Sequence, residues 1–224
     1  MDKITNIVSV GCSWVAYPYD WDNETESEYR LDKINPNMKY TGESAFQNQD
    51  DIKKYSFTKH LADKLDIPYY NLAGPGHSND DSFTLLFKTI NKLENSFVII
   101  GLTEPTRHTF GKQRFKYQDS NDGFWKWKKT FFENFYDESR RINYIVMMLD
   151  LFDEYLKSKN SKLVVFNSFT DEVEYPKRNY FFDKFNTWSD YIVSYDKDYE
   201  IGTHPIEYDH KKLADLLYEE YLSE

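Results

Sequence analysis

The sequence predicts an α/β domain in which a mostly parallel sheet carries helices on both faces. Three observations carry that expectation. Short β-branched runs alternate with longer segments of helical period. The run Phe97-Val98-Ile99-Ile100 is apolar without a break, the pattern of a strand buried on both sides. No boundary signal divides the 224 residues, so the chain reads as a single domain, 1–224, with insertions near 17–55 and 104–130.

The elements follow in order. Ile4 to Val10 is β-branched and ends at Gly11, a strand running into a turn. Residues 17–55 are polar, with Pro18, Asn35-Pro36 and Thr41-Gly42, and read as an irregular insertion. Ser56 caps a helix whose Phe57, Leu61 and Leu65 share one face. Ile67 to Leu72 is a second strand, ended by Ala73-Gly74-Pro75-Gly76. Ser78 and Asn79 are N-cap candidates ahead of Asp80 and Asp81, and Phe83, Leu86, Phe87, Ile90 and Leu93 form the helical stripe that follows.

The third strand, Ser96 to Ile100, stops at Gly101. Residues 104–130 are aromatic and basic without clean periodicity, read either as a wall over the strand ends or as a hydrophobic flap. A long helix then aligns Ile142, Ile145, Val146, Leu149, Phe152 and Leu156. Lys162 to Asn167 is a fourth strand, and Tyr191-Ile192-Val193 is expected as a short fifth. A helix from about Asp209 closes the chain, with Leu213, Leu216, Leu217 and Tyr221 inward.

Composition narrows the function. Hydrophobic residues make up 40%, enough for a real core. Lys+Arg 28 against Asp+Glu 38 leaves a net charge of −10, which repels nucleic acid and anionic membranes, so neither is expected as a partner. No apolar run approaches the ~20 residues of a membrane span. The start lacks a basic segment followed by a long apolar stretch, and the expectation is a cytoplasmic protein. The single cysteine, Cys12, excludes an internal disulfide or a cysteine-rich zinc site, and reads as a small packed residue. No metal is expected: His204 and His210 do not have a recognised ligand spacing. The sequence contains neither a P-loop nor Gly-x-Gly-x-x-Gly, and no cofactor is implied.

Glycine is the unusual count. At about 7% usage the chain would hold roughly 16, and it has 8. Five of them (Gly11, Gly74, Gly76, Gly101 and Gly202) stand in four loops beside polar residues. Gly11-Cys12-Ser13 puts a serine just after the first strand, suited to a nucleophile beside backbone N–H donors or to a capping role. Gly202-Thr203-His204-Pro205 places a histidine in a loop, suited to a general base. His60 reads as a helix-surface residue, His77 and His108 as loop residues without a clear partner, and His210 as structural or exposed.

In that order the loops resemble the blocks of the SGNH (GDSL-like) hydrolase superfamily. The matching segments are Gly11-Cys12-Ser13, Asn71-Leu72-Ala73-Gly74-Pro75-Gly76, Gly101-Leu102-Thr103-Glu104 and Ile201-Gly202-Thr203-His204-Pro205. The first two look most like SGNH-type proteins encoded by bacteriophages, which would place the protein in host cytoplasm or a virion. The resemblance implies a three-layer α/β/α sandwich with a flavodoxin-like sheet of about five strands. It implies Ser13 as nucleophile and His204 as its base, with the oxyanion held by the N–H groups of Ser13 and Gly74. Thr103 stands where the family has asparagine, and Asn79 and Arg107 are further donors for oxyanion or substrate. Ile201 stands where the family has the acid behind the histidine, leaving Glu200 or Asp198 for that role, and Cys12 replaces the block-one aspartate. The implied activity is an esterase or acyl hydrolase on a small-molecule or carbohydrate ester, through a serine acyl-enzyme. The alternative is a catalytically degenerate member serving as a binding or structural module. The sequence leaves the oligomeric state open.

Overall fold

The computed structural model describes residues 3–16, 55–74, 76–110, 113–115, 125–168, 173–197, 199 and 205–223. Most of the 17–55 insertion therefore lies outside the described residues. The strands of the main sheet are β1 (Asn6–Gly11), β2 (Tyr69–Asn71), β3 (Ser96–Leu102) and β6 (Lys162–Asn167), in the order β2-β1-β3-β6. Every neighbouring pair is parallel, with Ile7 opposite Tyr69 and Phe97, and Ile99 opposite Val164.

Alternate side chains on each strand feed two separate cores, because successive Cβ atoms point to opposite faces. Ile7, Phe97, Ile99, Val164 and Phe166 pack with Phe57, Trp188 and Leu213 on one face. Val8, Val10, Val98, Ile100, Leu163 and Val165 pack with Phe83, Leu86, Leu149 and Phe152 on the other. Two-sided burial explains why these strands read as unbroken apolar runs. The result is the α/β/α sandwich.

The first core is covered by α2 (Phe57–Leu65), α6 (Trp188–Tyr195) and α7 (Glu207–Tyr221), and the second by α3 (Asn79–Thr89) and α5 (Glu138–Lys157). Ser56 accepts from Lys59 N–H at 3.4 Å and Asp137 from Arg140 N–H at 3.0 Å, so α2 and α5 start on side-chain caps. Ser78 and Asp81 make a reciprocal capping box: Ser78 Oγ accepts from Asp81 N–H at 3.2 Å, and Asp81 Oδ2 from Ser78 N–H at 2.9 Å.

Two features depart from the sequence reading. Tyr191-Ile192-Val193 is not a strand but the middle of α6. Trp188 and Ile192, one helical turn apart, are both fully buried, and Thr187 accepts from Asp190 N–H at 3.0 Å to start the helix. Packing of that face overrides the β-propensity of three residues. The position expected for a fifth strand is touched only by the parallel bridges Val165–Phe181 and Asn167–Thr187, so the sheet has four strands among the described residues. The 104–130 stretch also holds regular structure. An antiparallel hairpin pairs β4 (His108–Phe110) with β5 (Gln113–Phe115), and α4 (Trp125–Asn134) follows.

Candidate functional site

The chain leaves β1 to form β2 on one side of it, then crosses to form β3 on the other. Strand order therefore reverses at β1, and in open α/β sheets such a switch point opens a crevice beyond the carboxyl ends of the strands. Ser13, half-buried, opens the short helix α1 (Ser13–Ala16) at that end of β1.

Close backbone approach seats α1 there. Gly11 and Gly101 are partners in the β1–β3 ladder. A Cβ on Gly11 would meet Val15 Cγ2 at 2.5 Å, and one on Gly101 would collide with the same methyl group. Gly11 also has φ +156°, a value L side chains rarely adopt. Asn71, at the end of β2, holds the other end of α1: its Nδ2 donates to Val15 O at 3.2 Å and Ala16 O at 2.8 Å. Its Oδ1 accepts from Ala73 N–H at 3.1 Å. The sequence by itself gives Asn71 no role; its position at a strand end is the signal for such bracing, and the structure buries it there.

The loop after β2 is pinned to β1, with Gly74 N–H donating to Gly11 O at 3.1 Å. His77 is buried and its imidazole lies against Gly74, where a Cβ would come within 2.7 Å of Nε2. His77 is thus a packed member of this loop rather than a loop residue without contacts. The oxyanion role assigned to the Gly74 N–H meets a competing partner in the Gly11 carbonyl.

The loop after β3 is tied to α3 by a reciprocal pair. Asn79 Nδ2 donates to Thr103 O at 3.0 Å, and Thr103 N–H donates to Asn79 Oδ1 at 3.0 Å. The Thr103 hydroxyl gives its single hydrogen to Glu104 Oε2 at 2.7 Å. Arg107 Nη2 meets the same carboxylate oxygen at 2.9 Å, and Arg107 N–H donates to Glu104 O at 3.0 Å. The i, i+3 spacing of Glu104 and Arg107 was the available sequence signal for this pair. Both charges reach the first loop. Burial raises the Cys12 thiol pKa, while Arg107 lowers it and Glu104 raises it further. Cys12 belongs to the hydrophobic core, as its packed reading required.

Farther out, Arg141 makes a two-pronged pair with Asp80 at 2.8 and 2.9 Å and donates to Pro105 O at 3.3 Å, bracing the same loop. His108 packs among Phe131, Phe132 and Tyr136, with centroids 5.4, 6.0 and 5.5 Å away. His210 is structural: it is fully buried, accepts from Phe57 N–H on Nδ1 at 3.0 Å and stacks on the Phe57 ring. His60 sits half-buried on α2.

Ser13 at the start of α1, Gly74 after β2, and Thr103 and Arg107 after β3 therefore stand in the segments that follow the carboxyl ends of the strands, with Asn79 at the start of α3 tied to Thr103. His204, Glu200 and Asp198 lie outside the described residues. The described chain resumes at Pro205, which is buried, and enters α7 with Ile206 N–H donating to Asp209 Oδ2 at 2.8 Å. Tyr195 OH donates to the other Asp209 oxygen at 2.7 Å. Among the described residues no group of three His, Cys, Asp or Glu side chains is placed to hold a metal ion, and no helix is long and apolar enough to cross a membrane.

No protein-family model matches the chain, and neither does any curated protein. Solved structures do. The chain is similar to a psychrotrophic esterase from Pseudoalteromonas sp., solved in a form inhibited by monoethylphosphonate, at 14% identity over 96% of this chain and 95% of that one, with TM-score 0.47. It is similar to a member of the lipolytic protein G-D-S-L family from Veillonella parvula at 9% identity over 97% and 98%, with TM-score 0.46. A carbohydrate esterase aligns at 15% identity over 100% of this chain and 70% of its own, with TM-score 0.37.

Proposed function

We propose that this protein is an ester hydrolase of the SGNH type, acting through an acyl-enzyme on Ser13. The observation that carries the reading is the convergence of three loops on the carboxyl end of β1. There Ser13 opens α1 over the Gly11–Gly101 pair, between the Gly74 loop and the Thr103–Arg107 loop.

In the proposed reaction Ser13 Oγ bonds to the acyl carbon as its proton passes to His204, and the carbonyl electron pair moves onto oxygen. Collapse of that intermediate breaks the ester C–O bond, and the leaving alcohol takes the proton from His204. Water then repeats the sequence on the acyl-serine, releasing a carboxylic acid. The substrate class is a small-molecule or carbohydrate ester, an acetyl group being the simplest acyl part. Glu200 or Asp198 would orient His204.

A fluorophosphonate probe and p-nitrophenyl acetate turnover test the reading. The expected result is labelling of the wild-type chain at Ser13, lost in Ser13→Ala together with turnover. Equal labelling of Ser13→Ala, or none of the wild type, overturns it.

One observation favours a second reading, a catalytically silent binding module. The donors of Gly74, Asn79 and Thr103 are engaged within the fold. A wild type that resists the probe is the outcome this reading requires.

A further inference from the structure

We infer that the outer face of α5 is a homodimer interface, where a second copy of this chain lays its own α5 antiparallel across a two-fold axis at Met147. The inference is independent of the reading of Ser13. α5 buries Ile145, Leu149, Phe152 and Leu156 in the second core. The opposite face of a surface helix is ordinarily polar. Here it carries Tyr144, Met147 and Leu151, which are 38, 51 and 59% exposed. At roughly 3.6 residues per turn, Arg140, Tyr144, Met147, Leu151 and Glu154 fall on one stripe.

α3 widens that patch. It runs beside α5 in the same direction, tied first by the Asp80–Arg141 ion pair, then by the Phe83 and Phe152 rings, 5.8 Å apart. Just beyond its end, Asn91 Oδ1 accepts from Tyr155 OH at 2.6 Å. Phe87, one turn after Phe83, is 69% exposed. Four large apolar side chains thus share two neighbouring helices, whereas apolar residues exposed singly are ordinary.

The order of charges selects the occupant. Arg140 and Glu154 end the stripe, seven residues before and after Met147. A two-fold axis at Met147 brings Arg140 to the partner subunit's Glu154, and Glu154 to the partner subunit's Arg140. Tyr144 then stands within about 1.5 Å of level with the partner subunit's Leu151. Such reciprocal matching is what an isologous contact requires. A parallel arrangement would set like charges against each other at both ends. The Arg140 and Glu154 side chains are 88% and 80% exposed, and their ion pairs are local, with Asp137 at 3.3 Å and Lys157 at 3.8 Å. Exposed pairs of that kind are worth little, so redirecting them costs little. Apolar contact supplies the affinity, and the end charges fix the register. The net charge of −10 disfavours an anionic membrane as the occupant.

Sedimentation equilibrium of the full chain from about 1 μM to 1 mM, the range of weak complexes, is the test. The expected result is a reversible monomer–dimer equilibrium. Met147→Asp abolishes it, because two carboxylates then meet on the axis. Arg140→Glu and Glu154→Arg each raise the dissociation constant about tenfold, by turning two exposed attractions into repulsions. The double variant Arg140→Glu/Glu154→Arg returns to the wild-type constant, since the exchanged charges pair again. All three positions are exposed, and thermal unfolding midpoints check that each variant folds. A wild type that stays monomeric throughout overturns the inference. A dimer that persists in Met147→Asp overturns it too, as does a double variant no tighter than the single ones. None of these outcomes bears on fluorophosphonate labelling of Ser13.

Discussion

Gly11 and Gly101 face each other across the β1–β3 ladder, and the Cγ2 of Val15 occupies the space that a Cβ on either would need. The serine-bearing helix α1 sits over the strand ends because both positions lack a side chain. The placement of Ser13 and the packing of the sheet meet in that contact.

Gly101→Ala should therefore destabilise the fold by about 1–3 kcal/mol through overpacking, read by urea denaturation. The added methyl group would also press on Ser168 Oγ, 2.9 Å from its position. In a Val15→Ala background the cost should shrink, giving a coupling of about 0.5 kcal/mol or more in a double-mutant cycle. Strict additivity would show that Val15 is not what excludes the side chain.

Asn79 fastens the start of α3 to Thr103 in the loop after β3, 24 residues away along the chain. Asn79→Ala orphans the Thr103 N–H and C=O and should cost about 1–3 kcal/mol. Asn79→Asp keeps the acceptor for Thr103 N–H but sets a second oxygen against Thr103 O, so it should not restore wild-type stability at neutral pH. Urea midpoints for the two variants check this, and full stability in Asn79→Asp would contradict the assigned amide orientation.

His108 gives the fold a pH dependence. Its pKa falls from 6.5 to about 4, first because burial disfavours the charged ring, then because Arg141 repels it, with Asp80 opposing. The unfolded chain then binds the extra proton between about pH 6.5 and 4, so stability falls as pH drops through that window and the loss saturates below it. The size is at most about 3 kcal/mol for a shift of this order. His108→Phe should flatten the loss across the window. Arg141→Met should shrink it, by removing the repelling charge. Unfolding free energies measured across the window test both, and an unchanged slope in His108→Phe would refute the assignment.

Most of the frame was legible in the chain. Phe97 to Ile100 and Lys162 to Asn167 were readable as strands because two-sided burial demands unbroken apolar residues. Ser56 and Ser78 were readable as helix starts because capping is local chemistry, satisfied within three residues. Tyr191-Ile192-Val193 failed for the opposite reason. Three β-formers carry little weight once Trp188 and Ile192 bury one face of a helix against the first core. His108 and His77 showed no partner in the sequence because theirs come from remote or non-periodic segments, the Phe131–Tyr136 cluster and the Gly74 backbone.

The sequence by itself determined the α/β class, the strand-end loops and the concentration of scarce glycines within them. These are properties of periodicity and of local backbone freedom, which a chain carries wherever it folds. Only the tertiary structure decided how the donors in those loops are used. Gly74 N–H turns to Gly11, the Thr103 hydroxyl to Glu104, the Asn79 amide to Thr103 and the Arg107 guanidinium to Glu104. The direction of a hydrogen bond depends on which acceptors the packed loops bring within about 3 Å, and no spacing along the chain specifies that.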